Sequence, residues 1–153
     1  MIEVRNETTV RIDELEFVAL ARFVFEAMHL HPATELSLRF IDETEMEQLH
    51  IRWMDEPGPT DVLSFPMDEL TPGTELDPSP EGLLGDIVVC PSVASRQAAE
   101  SGHSAAEEML LLTTHGILHL LGYDHAEAEE RRVMFDLQRK LLLTFLATRE
   151  QES

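Results

Sequence analysis

The sequence predicts an α/β (or α+β) protein, with a small mixed sheet of about four strands packed with about five helices in a single domain. Three observations predict it. Strand-like and helix-like segments alternate as β-α-β-α, then β-β, then three helices. The 153 residues suffice for one sizeable core. No internal repeat and no linker divides the chain, so residues 1–148 read as one domain and residues 149–153 as a polar tail.

The elements follow in order. Ile2–Arg5 is a short strand candidate. Asp13 is placed to cap a helix whose apolar face includes Phe17, Val18, Leu20, Ala21, Val24, Phe25 and Met28, and His31-Pro32 ends it. Glu35–Ile41 alternates polar and apolar, the signature of a half-buried strand. Asp42 or Thr44 opens a helix through Met54, which Pro57-Gly58-Pro59 breaks. Asp61–Phe65 is a third strand. Residues Pro66–Gly82 hold four prolines, two glycines and five acids and read as a long exposed loop. Leu83–Val89 is the strongest strand in the chain. Pro91 or Ser92 opens a helix that stops near Gly102. Ser104 with Glu107 resembles a capping box at the start of the next helix. A last helix is expected from about Ala126 to Ala147.

Composition narrows the function. The formal net charge is −19, and Lys140 is the only lysine. Binding of a phosphate backbone needs a basic footprint, which this chain does not supply globally. A nucleic-acid role therefore needs a local patch, a bound metal or a partner that brings the substrate. Cys90 is the only cysteine, so no internal disulfide forms, and a reducing cytoplasmic location is the expectation. Met1–Asn6 shows neither a basic n-region nor an apolar h-region. No apolar run reaches the roughly 18 residues of a membrane span, so no membrane association is expected. Cys90 follows a strand and has no C-x-x-C partner, which favours a small buried apolar side chain over a ligand.

The densest chemistry lies in His115-Gly-Ile-Leu-His-Leu-Leu-Gly-Tyr-Asp-His125. His115 and His119 are four apart in an apolar, helix-like stretch, so their rings share one face, one turn apart. Gly122 lets the chain leave the helix and turn back, bringing His125 within reach. Three nitrogens and a water are a common set for catalytic zinc. The other histidines, His29, His31, His50 and His103, lie near expected helix ends, where a last-turn histidine suits the helix dipole.

Zinc with three protein ligands suggests hydrolysis of an amide or a phosphodiester. The metallopeptidase pattern H-E-x-x-H-x-x-G-x-x-H is close. Here Gly116 stands where that pattern places its general base. Losing such a base costs about 10²–10⁴-fold. Glu107, Glu108 and Asp124 are poorly placed on the helix to replace it. A metallopeptidase-like hydrolase stays an alternative, as does a non-catalytic factor with a structural zinc. The latter would need a fourth protein ligand, for which Asp124 or a distant acid is available.

The histidine segment resembles the signature of the YbeY family of bacterial rRNA-maturation endoribonucleases. Pro59-Thr-Asp-Val-Leu-Ser-Phe-Pro66 and Leu84-Gly-Asp-Ile-Val-Val89 resemble two further blocks of that family, in the family's order. The similarity spans about Leu36 to Leu142. It implies an α/β fold and one metal, usually zinc, held by His115, His119 and His125. It also implies metal-dependent, single-strand-specific cleavage of RNA, tied to 16S rRNA 3′-end maturation and ribosome quality control. The implied partners are single-stranded RNA, 16S rRNA, and the small ribosomal subunit with its associated proteins. A ribosome that delivers the RNA would reconcile the acidic charge with such a substrate, and with this resemblance the non-catalytic alternative becomes a zinc-containing ribosome-assembly factor.

One departure stands out. The family usually has an aromatic residue and then an arginine before this block; here these positions hold Trp53 and Met54. Arg52 is a candidate substitute, but residues two apart on a helix point about 200° apart. Its alternative is a plain surface charge. Ser64 and Asp86 fall in the other two blocks and are candidates for lining the pocket. Their alternatives are a strand-edge hydrogen bond for Ser64, and a bond to a histidine nitrogen or a backbone turn for Asp86.

Overall fold

The computed structural model describes residues 1–152, with side chains described through Glu150. The chain runs β1 (Ile2–Asn6), α1 (Glu14–Ala27), β2 (Glu35–Phe40), α2 (Glu43–Met54), β3 (Val62–Pro66), β4 (Leu83–Val89), α3 (Pro91–Ser101), α4 (Ala105–Leu120) and α5 (Ala128–Glu152). The strands form one mixed sheet in the order β1-β2-β4-β3. β1, β2 and β4 are parallel, and β3 is antiparallel to β4. This is the α/β architecture the alternating pattern predicts.

Strand alternation assigns the two faces of the sheet. Leu36, Leu38 and Phe40 of β2, with Leu84, Ile87 and Val89 of β4, join the main core beneath α1, α4 and α5. There Phe17 of α1 meets Phe40 edge to face, ring centroids 4.8 Å apart. The other face carries a smaller cluster of Ile41, Met46, Leu63, Val88, Cys90 and Val93 under α2. Cys90 is fully buried in it, in keeping with an apolar role.

Side-chain caps start two of the helices, while Asp13 stands at the N-cap of α1 without a side-chain cap bond. Asp42 accepts from the Glu45 amide at 2.9 Å to start α2, and Ser104 accepts from the Glu107 amide at 3.1 Å to start α4. Gly102 ends α3 with φ +80°. Three helix boundaries move. α1 ends at Ala27, before His31-Pro32, because Met28 caps it and His29 turns the chain with φ +56°. α5 starts at Ala128 and continues past Ala147 to Glu152, so 149–152 are helical where a polar tail is expected. Arg149 ion-pairs with Glu16 of α1 and ties this end to the body of the protein. Ser153 lies outside the described residues.

The acidic segment between β3 and β4 is mostly exposed but anchored. Leu70 is buried in the main core, and the Gly73 and Ser79 amides donate to the Met28 and His29 carbonyls at 3.0 and 2.9 Å. Among the described residues no helix is long and apolar enough to cross a membrane.

Candidate metal centre

α4 places two of the three histidines. It packs against β3, β4, α3 and α5, and its buried side includes Leu110, Thr113, Thr114, Ile117 and Leu118. The outward face carries His115, half-buried, and His119, exposed. The end of α4 is a Schellman motif, with the Tyr123 amide donating to the Leu118 carbonyl and the Gly122 amide to the His119 carbonyl, each at 3.1 Å. Gly122 takes φ +98°, which a side chain would resist. Tyr123 packs into the core, and the chain turns back toward α4.

That turn brings His125 to the other two. Its ring centroid lies 5.3 Å from His115 and 6.4 Å from His119. Two imidazoles bound to one tetrahedral zinc, with Zn–N of about 2.0–2.1 Å, have centroids about 5 Å apart. The first pair matches that spacing and the second is wider. Accordingly, among the described residues no three His, Cys, Asp or Glu side chains are arranged to hold an ion as they stand.

The donor set itself fits zinc. Burial pushes the His115 pKa below the usual histidine range. Next in size, the Gln138 hydrogen bond pulls it up; the neighbouring His125 and His119 push it down, and the Asp61 carboxylate pulls it up. A neutral imidazole is the form that binds a metal. Gln138 Oε1 lies 2.9 Å from His115 Nδ1, which occupies the outer nitrogen and leaves Nε2 for a ligand. Phe135 stands beside the site, 6.1 Å from the His115 ring and 6.2 Å from the His125 ring. Neither α5 residue was signalled by a motif. Their three-residue spacing puts both on one helix face, but nothing local says which helix that face meets.

The remaining candidates separate. Ser64 is on the face of β3 toward α4, and its hydroxyl donates to the Gly116 carbonyl at 3.4 Å, beneath the histidine helix. Asp86 is on the opposite face of the sheet. It pairs in register with Phe65, while the neighbouring Ile87 pairs with Ser64 and reaches Gly116. Asp86 therefore shares an open groove with Trp53, Arg39 and Ser37, not with the histidines. Arg52 is exposed on α2, its guanidinium 5.3 Å from the Trp53 ring centroid. Trp53 in turn meets Phe65 edge to face at 5.9 Å, on the sheet face away from α4. Asp124 is exposed and accepts from the His125 amide at 2.7 Å.

Gly116 has a packing reason. A Cβ there would lie 3.0 Å from two Ile87 carbons and 3.1 Å from Ser64 Oγ. A peptidase glutamate at this position would point into the sheet, not into the site. Glu108 is equally unsuited, since it is buried and paired with His103. His50 bonds to the Gly58 carbonyl at 2.9 Å and steadies the loop before β3, and His31 Nδ1 accepts from the Ala33 amide at 3.0 Å.

The model of the Endoribonuclease YbeY family matches residues 2–146. The chain belongs to the YbeY family. A YbeY endoribonuclease from Beutenbergia cavernae is 67% identical over 147 residues, covering 96% of this chain and 98% of that one. One from an Arthrobacter species is 65% identical over 144 residues, covering 94% and 92%. The solution structure of a Thermotoga maritima protein is similar with a TM-score of 0.67 and 27% identity, over 99% of this chain and 93% of that one. The YbeY match covers all three sequence blocks noted above, and the α4 turn and the β3–β4 pair are where the fold places them.

Proposed function

We propose that this chain is a metal-dependent, single-strand-specific endoribonuclease that holds one zinc ion through His115, His119 and His125. We place it in 16S rRNA 3′-end maturation and ribosome quality control in the cytoplasm. The observation that carries the proposal is the convergence of three imidazoles at the end of α4, in a chain of the YbeY family. The relatives are named endoribonucleases, which supports RNA as the substrate class.

Zinc bound there would lower the pKa of a water toward neutrality and polarise a phosphate oxygen. The protein supplies the surroundings. His115 is held by Gln138, and His125 by the Gly122 turn. His119, exposed, faces the solvent from which a strand of RNA arrives. Phe135 is 39% exposed beside the histidines and gives an unpaired base an apolar plane to stack on, which favours a single strand over a duplex. With a net charge of −19, the protein attracts no free RNA by its overall field. Delivery by the small ribosomal subunit and its proteins fits that charge.

The test is to incubate zinc-loaded protein with single-stranded RNA, double-stranded RNA and casein, beside a His115→Ala/His119→Ala control. Cleavage of the single strand alone, lost in the control with the bound zinc, is expected. No RNA cleavage above the control overturns the nuclease, and casein cleavage lost in the control points to a peptidase.

A further inference from the structure

The last helix supplies something the histidines need. Phe135 and Gln138 are three residues apart on α5 and share one face of it. Both meet His115, Phe135 through its ring at 6.1 Å and Gln138 through Oε1, 2.9 Å from Nδ1. A neutral imidazole has two nitrogens and one proton, and only the nitrogen without the proton can bind a metal. An amide oxygen only accepts, so at this distance it keeps the proton on Nδ1.

We propose that Gln138 is a positioning residue for zinc, holding His115 in the Nδ1–H tautomer so that the Nε2 lone pair faces the ion. The proposal rests on the zinc site argued above. A carboxylate often does this work in metal sites. A neutral amide orients the ring without placing another negative charge where a phosphate must approach. Phe135 seats against the same ring, so one face of α5 fixes both its rotation and its tautomer.

The test has two readouts besides activity. Long-range ¹H–¹⁵N NMR of the metal-free protein, at about pH 8 and so above the usual histidine range, reads the tautomer of His115, assigned with a His115→Gln variant. Protonated Nδ1 is expected, and a proton on Nε2 overturns the proposal. Zinc affinity is then measured by competition with a chromophoric chelator. Gln138→Leu is expected to bind on the order of 10–100-fold more weakly, and Gln138→Glu to match the wild type. Unchanged affinity in Gln138→Leu overturns the proposal, as does a folded Gln138→Glu variant that fails to match. Should Gln138→Leu not fold, the tautomer and the glutamate variant decide. Wild-type protein that takes up no zinc while showing the Nδ1–H form rejects the zinc site; zinc uptake with the Nε2–H form rejects the role of Gln138.

Discussion

Gly116 lies against Ile87 and Ser64 at 3.0–3.1 Å from where a Cβ would stand. Magnitudes decide what a substitution does. Alanine gains about 1 kcal/mol of helix propensity over glycine, against about 1–3 kcal/mol for overfilling a packed site. The difference, about 0–2 kcal/mol, runs from no effect to a clear loss, so alanine is a poor probe. Glutamate adds an unpaired buried charge to the overpacking, and Gly116→Glu is expected to cost more than about 3 kcal/mol in urea denaturation, with no peptidase activity gained. A variant as stable as the wild type would show that this side of α4 is open. At the same scale, the three histidines were legible from spacing alone, because i, i+4 on a helix and a following glycine are local rules. Asp86 lies away from the histidines for an equally simple reason. Its block looks continuous in sequence, yet neighbours on a strand face opposite ways, and Asp86 turns from the histidines while Ile87 turns toward them.

Among the elements, the α4–α5 turn matters most to the proposed zinc site. No atom lies within 4 Å of where a Cβ on Gly122 would stand, so Gly122→Ala costs backbone strain only, about 1–2 kcal/mol. The melting temperature is expected to fall about 2–4 °C for each kcal/mol. Because the turn also places His125, zinc affinity falls with it. Gly102→Ala is the control: it has φ +80°, an equally open surround and a place at the end of α3. It should lower the melting temperature similarly and leave zinc affinity unchanged. Equal affinity losses in both variants would show that the turn has no specific part in the site. α5 was the least legible element. Its start, its extension to Glu152 and its contact with His115 depend on partners on α1 and α4 that its own periodicity does not name.

The charge of the whole molecule shapes how it meets RNA. A protein that binds phosphates through many cations loses about 10³–10⁵ in affinity between 50 and 200 mM salt. This chain has 11 basic residues against 30 acidic ones, and several arginines are already paired, such as Arg39 with Glu7 and Glu45, and Arg96 with Glu43. Binding of a short single strand of RNA to the isolated protein, followed by fluorescence anisotropy, should weaken less than about tenfold over that range. A steep decline would reveal a basic patch that works against the net charge.

Local rules were enough for the order of strands and helices along the chain, the caps at Asp42 and Ser104, the turn at Gly122 and the histidine spacing, because caps, turns and hydrophobic periodicity act between residues a few positions apart. The tertiary structure alone decided that Gly116 is a packing contact, that Asp86 and Arg52 lie apart from the histidines, and that Gln138, 23 residues beyond His115, bonds to its ring. Those facts depend on which faces of distant elements meet, and that is settled by burial of the whole core.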